Sequence, residues 1–213
     1  MISLLNANHI KGDELPLQGQ TPERWAAQAL SDPLALLGDH AYLERKAASN
    51  ALELINRWPD PDCPADWVSI LAAVARDETT HLHAVSRLLA ARGGRLPRAH
   101  RSAYAGALHG LVRRGQGRLE LLDRLLVSAL IEARSCERFV VLARCCEEAE
   151  LADFYRGLHT SELGHYKVFL HLAGALATPD DLAVRWREML LAEAQIIATQ
   201  APGPRMHSGV ADR

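Results

Sequence analysis

Two short segments place a glutamate and a histidine three positions apart in apolar, helix-like surroundings. Glu78 and His81 lie in DETTH, and Glu162 and His165 lie in SELGHYKVF. Residues three apart share one face of a helix, so each pair offers a carboxylate and an imidazole to the same partner. A single such pair is close to chance expectation. The residues around the two pairs therefore decide whether they are functional.

Each pair is preceded by a glutamate about one helical hairpin earlier in the chain. Glu44, in AYLERKAA, precedes Glu78, and Glu132, in ALIEARSC, precedes Glu162. At about 1.5 Å of rise per residue, the two glutamates of each half lie nearly the same distance from the break between their helices. In antiparallel hairpins they would face each other at the same height. Four carboxylates and two imidazoles are thus predicted to converge in the middle of a bundle.

Such a cluster is too costly to bury as bare charges, and metal ions are the natural compensation. One glutamate from each of two helices and a Glu-x-x-His from each of the other two form the ligand set of carboxylate-bridged di-iron or di-manganese bundles. We therefore predict a two-metal centre, catalytic through its metals, with six ligand residues: Glu44, Glu78, His81, Glu132, Glu162 and His165. Carboxylate and imidazole ligands admit iron, manganese or zinc.

Other polar residues nearby break the ligand spacing. Asp77 is predicted to accept a hydrogen bond from a ligand histidine on another helix and so fix its tautomer. Four further histidines are expected on the surface or just behind the ligands: His40, His83, His159 and His171.

The elements that must position these residues are helices. Ala, Leu, Glu and Arg dominate, and aromatic residues make up only 5% of the chain, a composition typical of packed helices. Helices are predicted at about residues 22 to 30, 37 to 58, 65 to 92, 118 to 147, 150 to 176 and 179 to 200, with Thr21 and Thr178 as N-caps before prolines. Two long hairpins joined by an irregular connection at 93 to 117 predict an all-α, ferritin-like four-helix bundle with one long crossover and additional flanking helices.

Length and charge narrow the class further. We expect one domain over residues 1 to 200 and a mobile tail over 201 to 213. The formal net charge is −2, so nucleic-acid binding would require a local basic patch. The N-terminus lacks the features of a signal peptide and no long apolar run occurs, which predicts a cytoplasmic protein without a membrane segment. The four cysteines form no metal or disulfide framework and are expected to be reduced.

Four segments carry a resemblance to a known family: DHAYLERKAASNAL, RDETTHLHAV, LIEARSCERF and SELGHYKVFL. They resemble the bacterial tRNA hydroxylases that act on 2-methylthio-N6-isopentenyladenosine beside the anticodon, and the likeness spans roughly residues 30 to 195 with all six metal positions. The resemblance implies a non-haem di-iron monooxygenase that hydroxylates the isopentenyl group. It also implies two iron ions held by the six residues, dioxygen as co-substrate, an external electron donor such as a reductase, and the tRNA anticodon stem-loop as partner.

The connection between the hairpins supplies a basic patch for such a partner. Residues 92 to 118, which include this connection, contain no acidic residue and seven arginines, which we predict to contact RNA: Arg92, Arg95, Arg98, Arg101, Arg113, Arg114 and Arg118. His100 and Tyr104 are candidates for stacking on an unpaired base. The alternative functions are a bacterioferritin-like or rubrerythrin-like iron-oxidising or peroxide-scavenging protein, and a bundle with a purely structural metal.

Overall fold

The computed structural model describes residues 15–211. Within this range the chain forms seven helices and no β-strand: α1 Glu23–Ala29, α2 Pro33–Ile55, α3 Trp67–Ala91, α4 Ala103–His109, α5 Arg118–Cys145, α6 Ala149–Ala173 and α7 Pro179–Ala198. The all-α prediction is confirmed. Over the same residues, no helix has both the length and the apolar character needed to cross a membrane.

The architecture is a ferritin-like bundle of two hairpins. α2 packs closely along α3, and α5 packs closely along α6, whereas the two hairpins approach each other less tightly. The crossover between them carries α4, and α1 and α7 flank the bundle against α5. This arrangement agrees with the predicted plan of two antiparallel pairs and one long connection.

The core consists of two apolar clusters at different heights along the bundle. One contains Leu71, Leu126 and Phe169, and the other contains Val85 and Phe139. On each of the four long helices, buried polar residues lie in sequence between members of the two clusters. The bundle therefore encloses its polar site between two dry layers.

Helix ends were predicted to within a few residues, with two local exceptions. α2 begins at Pro33 instead of near 37, because the Asp32 carboxylate accepts a hydrogen bond from the Ala35 amide at 3.0 Å and caps the helix. Thr21 does not cap α1, because its hydroxyl donates to Glu137 Oε2 on α5 at 2.7 Å. The predicted cap at Thr178 is confirmed, since its hydroxyl accepts from the Asp181 amide at 3.2 Å.

The segment expected to be a mobile tail instead packs against the bundle. Residues 201 to 211, here called the C-terminal strap, include the buried Met206, His207, Ser208 and Gly209. The Met206 amide donates to Asp39 Oδ2 on α2 at 2.9 Å. A side chain at Gly209 would overlap the backbone carbonyl of Gln200, so only glycine allows the two ends of the strap to approach so closely. Local composition cannot report such tertiary contacts, which explains why the prediction was wrong.

Candidate metal centre

All six predicted ligand residues meet in the middle of the bundle, and all are buried. They form two groups whose potential ligand atoms lie within 4.8 Å of one another: Glu44, Glu78, His81 and Glu162 in the first, and Glu78, Glu132, Glu162 and His165 in the second. Glu78 and Glu162 belong to both groups. They therefore lie between two neighbouring positions, each of which has its own histidine.

The close contacts within the cluster are not those of a satisfied hydrogen-bond network. His81 Nδ1 lies 2.9 Å from Glu162 Oε1, and His165 Nδ1 lies 2.8 Å from Glu78 Oε1. Nevertheless Glu78 Oε1, His81 Nδ1 and Glu162 Oε1 have no hydrogen-bond partner of acceptable geometry among the residues described. Buried polar atoms are almost always paired. Buried oxygen and nitrogen atoms that lack hydrogen-bond partners and converge on shared positions are typical of metal ligands. The residues present therefore suit the ions that the sequence predicts.

The electrostatics of the cluster point the same way. Burial, and then the adjacent Glu162 carboxylate, raises the pKa of Glu78 to about 8. Burial alone would lower the pKa of His165, but the carboxylates of Glu162 and Glu78 outweigh it and raise that pKa to about 10. Without metal, the cluster thus holds protons where bound cations would otherwise balance its negative charge.

Two polar residues stand directly behind the ligands. His40 on α2 is buried, and its Nε2 lies 2.5 Å from Glu44 Oε1, while its ring packs among Phe139 and Tyr155. Asp77 Oδ2 lies 3.6 Å from Nε2 of His165 on the neighbouring hairpin. The Asp77 carboxylate lies beside Nε2 while Nδ1 is turned toward the cluster, but the predicted hydrogen bond is not formed at this separation.

The other histidines near the cluster lie farther out. His83 and His171 are exposed, and His159 is half-buried. These three positions, and that of His40 behind Glu44, agree with the expectation of surface or supporting positions.

A cavity of about 380 Å³ connects the crossover to one of the predicted ligands. It lies between α2 and α5, where the hairpins separate, and Glu132 contributes to its wall. Leu43, Ala47 and Ile131 supply apolar lining, whereas His100 and His207 supply polar lining. The sequence predicted neither the cavity nor the participation of His207, since both depend on how distant segments pack.

The seven arginines predicted to contact RNA do not form one equivalent set. Three are engaged in ion pairs: Arg92 with Glu148 and Glu150, Arg113 with the buried Asp123, and Arg118 with Asp60. Four are exposed and make no ion pair with the described residues: Arg95, Arg98, Arg101 and Arg114. These four arginines are therefore the strongest candidates for the predicted RNA contacts.

The side chains of the two predicted stacking residues already make contacts within the protein. Tyr104 is 1% exposed, and its hydroxyl donates to Glu193 Oε1 at 2.8 Å. The His100 ring stacks on Tyr42, and its Nε2 lies 2.7 Å from Asp39 Oδ1. Neither ring offers a free face like that of an exposed aromatic residue, because both serve to fix the crossover onto the bundle.

A ferritin-like bundle with a buried, duplicated carboxylate and histidine cluster defines the class of helical proteins built to hold a pair of metal ions. Within that class, the chain belongs to the family described as tRNA-(MS[2]IO[6]A)-hydroxylase (MiaE), whose model matches residues 10–208.

Two curated relatives and one solved structure resemble most of the chain. A tRNA 2-(methylsulfanyl)-N(6)-isopentenyladenosine(37) hydroxylase of Pseudomonas putida is 39% identical, over 89% of this chain and 90% of its own. The protein of the same name from Salmonella typhimurium is 30% identical, over 89% of this chain and 86% of its own. The solved structure of "Protein 43 with aldehyde deformylating oxygenase activity from Synechococcus" superposes with a TM-score of 0.84 at 32% identity, covering 92% of this chain and 97% of that one.

Proposed function

We propose that this protein is a dioxygen-dependent di-iron monooxygenase that hydroxylates the isopentenyl group of 2-methylthio-N6-isopentenyladenosine next to the tRNA anticodon. The observation that carries the proposal is the pair of overlapping ligand groups that share Glu78 and Glu162. Membership of the hydroxylase family supplies the substrate class.

The six residues divide naturally between two ions. Glu44 and His81 would complete the surroundings of one, Glu132 and His165 those of the other, and Glu78 and Glu162 would bridge. Two iron ions held there would supply the activation of dioxygen. In the balanced reaction a C–H bond becomes C–OH, the second oxygen atom becomes water, and two electrons and two protons come from an external donor. A reductase or electron-transfer protein is therefore a required partner.

The cavity between α2 and α5 suits the substrate. Leu43, Ala47 and Ile131 offer an apolar wall for a prenyl group close to Glu132. Dry surroundings exclude water from the reacting carbon. A base in an anticodon loop is unpaired and can be turned out of its stack into such a pocket at modest cost. The protein's own contribution is thus to bind the prenyl group of the nucleotide and to orient it beside the metal ligands.

Phosphate contacts are assigned to the free arginines of the crossover. Arg101 lines the cavity, and Arg98 lies three residues earlier in the same segment. Exposed arginines beside the entrance would attract the backbone of the anticodon stem-loop and keep its base at the opening. The proposed site of action is the cytoplasm, where tRNA is modified.

The alternative of a bacterioferritin-like or rubrerythrin-like protein is not favoured. Both curated relatives are named as hydroxylases of one modified nucleoside. A cavity of this size that ends beside Glu132 also suits an organic side chain.

The test combines metal loading with product analysis. Protein reconstituted anaerobically with Fe(II) should hold two irons per chain, and adding reductant, dioxygen and tRNA carrying the modified nucleoside should add one oxygen atom to that nucleoside. Mass spectrometry with ¹⁸O-labelled dioxygen identifies the source of that atom. Stoichiometric zinc binding with no oxygenated product from the iron-loaded protein would overturn the proposal.

A further inference from the structure

We propose that His207, in the C-terminal strap, donates a hydrogen bond from Nδ1 to a ring nitrogen of the purine base and so selects and orients the nucleotide in the cavity. The inference rests on the proposed function and names a base-reading residue for it. It also gives a role to a segment that lies outside the four helices carrying the predicted metal ligands.

His207 has an unused polar atom inside the molecule. The residue is 6% exposed, it lines the same cavity as Glu132, and its Nδ1 has no hydrogen-bond partner among the residues described. A buried nitrogen without a partner costs free energy. A ligand in the cavity that offers the missing partner would recover that cost.

The contact made by the other ring nitrogen allows the tautomer that this proposal uses. Ser135 Oγ on α5 lies 3.4 Å from His207 Nε2. When the Ser135 hydroxyl donates to Nε2, the proton of the neutral ring is on Nδ1, and Nδ1 becomes a donor. Burial, and then the neighbouring Arg138 guanidinium, keeps the pKa of His207 well below its usual range, so the ring is neutral. A neutral donor matches an aromatic ring nitrogen better than a phosphate.

The ring is held in place from several sides. It stacks on Tyr104 with a centroid distance of 4.6 Å and an interplanar angle of 23°. Arg138, itself 1% exposed, donates to the carbonyl oxygens on both sides of His207: those of Met206 and, at 2.8 Å, Ser208. The donor is thus positioned before any ligand arrives, which is how specificity is obtained at low entropic cost.

The lining of the cavity also fits a prenylated purine. Its apolar lining residues Leu43 and Ala47 lie one and three residues from the ligand Glu44 in sequence. Its polar lining residues His207 and Arg101 belong to the strap and to the crossover. With the prenyl group directed to the metal ligands, the purine would face His207 and the flanking phosphates would face the exposed arginine.

The first test removes the two ring nitrogens of His207 and keeps an aromatic ring. His207→Phe retains an aromatic ring for Tyr104 but has no donor, and His83→Phe, at an exposed position on α3, is the matched control. We expect His207→Phe to weaken binding of a stem-loop bearing the modified nucleoside about tenfold, as loss of one hydrogen bond does. Fluorescence anisotropy on metal-free protein measures this independently of turnover. Melting temperature and iron content should match wild type.

The second test identifies the bonded atom. Stem-loops in which N1, N3 or N7 of the modified adenine is replaced by C–H are compared in the wild type and in His207→Phe. One replacement should weaken binding to the wild type about tenfold and cause no further loss in the variant. Ser135→Ala should give a smaller loss in the same direction. His207→Gln, which keeps a donor, should retain most of the affinity. Should His207→Phe fold poorly, His207→Leu, which also lacks a donor, takes its place in the comparison.

The outcomes separate this inference from the proposed function. Equal effects of every ring replacement in wild type and variant, or unchanged binding by His207→Phe, overturn the role of His207 while leaving hydroxylation in place. Absence of hydroxylation by the iron-loaded wild type on the parent stem-loop overturns the proposed function itself.

Discussion

At the residue scale, the chemistry of this protein is concentrated in a duplicated set of carboxylates and imidazoles. Residue type and spacing alone predict the set, because Glu-x-x-His on one helix face presents two ligands together. The structure brings all six residues together. The position of Asp77 near His165 follows from its place beside Glu78, although the predicted hydrogen bond is not formed. His40 behind Glu44 was placed only generally, because its contact depends on the rotamer that the surrounding aromatic rings permit.

The first prediction concerns His165. His165→Ala should lower bound iron from two ions per chain toward one and reduce hydroxylation more than about 100-fold, because one position loses its only imidazole. His171→Ala, at an exposed position on the same helix, is the control and should change neither. Metal analysis and initial rates measure both effects. Native activity in His165→Ala would show that the ligand assignment is wrong.

At the element scale, the helices were predictable because apolar periodicity, prolines and capping residues are local properties. The ion pairs that fix the helices to one another were not. Asp123 on α5 is completely buried and accepts hydrogen bonds from Arg113 of the crossover, with Nη2 at 2.7 Å, and from Arg185 of α7, with Nε at 2.9 Å. Arg113 therefore holds the crossover onto the bundle.

The second prediction concerns this junction. Burial would raise the pKa of Asp123, but hydrogen bonds from Arg113 and Arg185 outweigh it and hold the pKa below its ordinary value. The resulting stability is present above the ordinary carboxyl pKa and is lost as the pH falls through the lower folded value. Asp123→Asn should therefore destabilise the protein by about 3 kcal/mol at pH 7 and by much less in acid.

Urea unfolding at neutral and acidic pH measures this difference. Asp153→Asn is the control, because Asp153 pairs with Arg156 on the exposed surface of α6, and it should change the free energy of unfolding by less than about 1 kcal/mol. An equal loss of stability for Asp123→Asn at both pH values would contradict the assignment.

At the scale of the whole molecule, four separate parts of the chain enclose the cavity. α2 and α5 line it from two sides, the crossover borders it, and the C-terminal strap places His207 in its wall. The strap is anchored to the N-terminal part of the chain, since Gln28 Nε2 on α1 donates to the Gly209 carbonyl at 2.9 Å and Trp25 Nε1 donates to Ser208 Oγ at 3.1 Å. Chain segments that are far apart in sequence thus form the entrance to one cavity.

The third prediction concerns the basic surface at that entrance. Reversal of both Arg98 and Arg101 to Glu should weaken binding of tRNA at least tenfold and lower the slope of log affinity against log salt by about 2, because each arginine displaces roughly one counterion. The fold should be unaffected, since neither residue makes an ion pair within the described part of the chain. Filter binding over a salt titration measures both quantities.

The control reverses Arg87 and Arg187, which are exposed on α3 and α7 and, like Arg98 and Arg101, make no ion pair with the described residues. These helices lie outside the crossover, so tRNA affinity and its salt dependence should remain near those of the wild type. A double variant of Arg98 and Arg101 that binds like this control would remove the crossover from the RNA interface.

Fold class, approximate helix positions and the six candidate ligands could be predicted from the sequence, because helical period, capping and ligand spacing are recorded in short stretches of residues. Which arginines are free and which are bound to acids became visible only in the folded chain, since Arg113 and Asp123 meet by packing of the crossover onto α5. The same holds for the place of His207, from the C-terminal strap, in the wall of the cavity. No local pattern distinguishes a loose tail from a strap, because the difference lies in partners such as Arg138 and Asp39, which belong to helices distant in the chain.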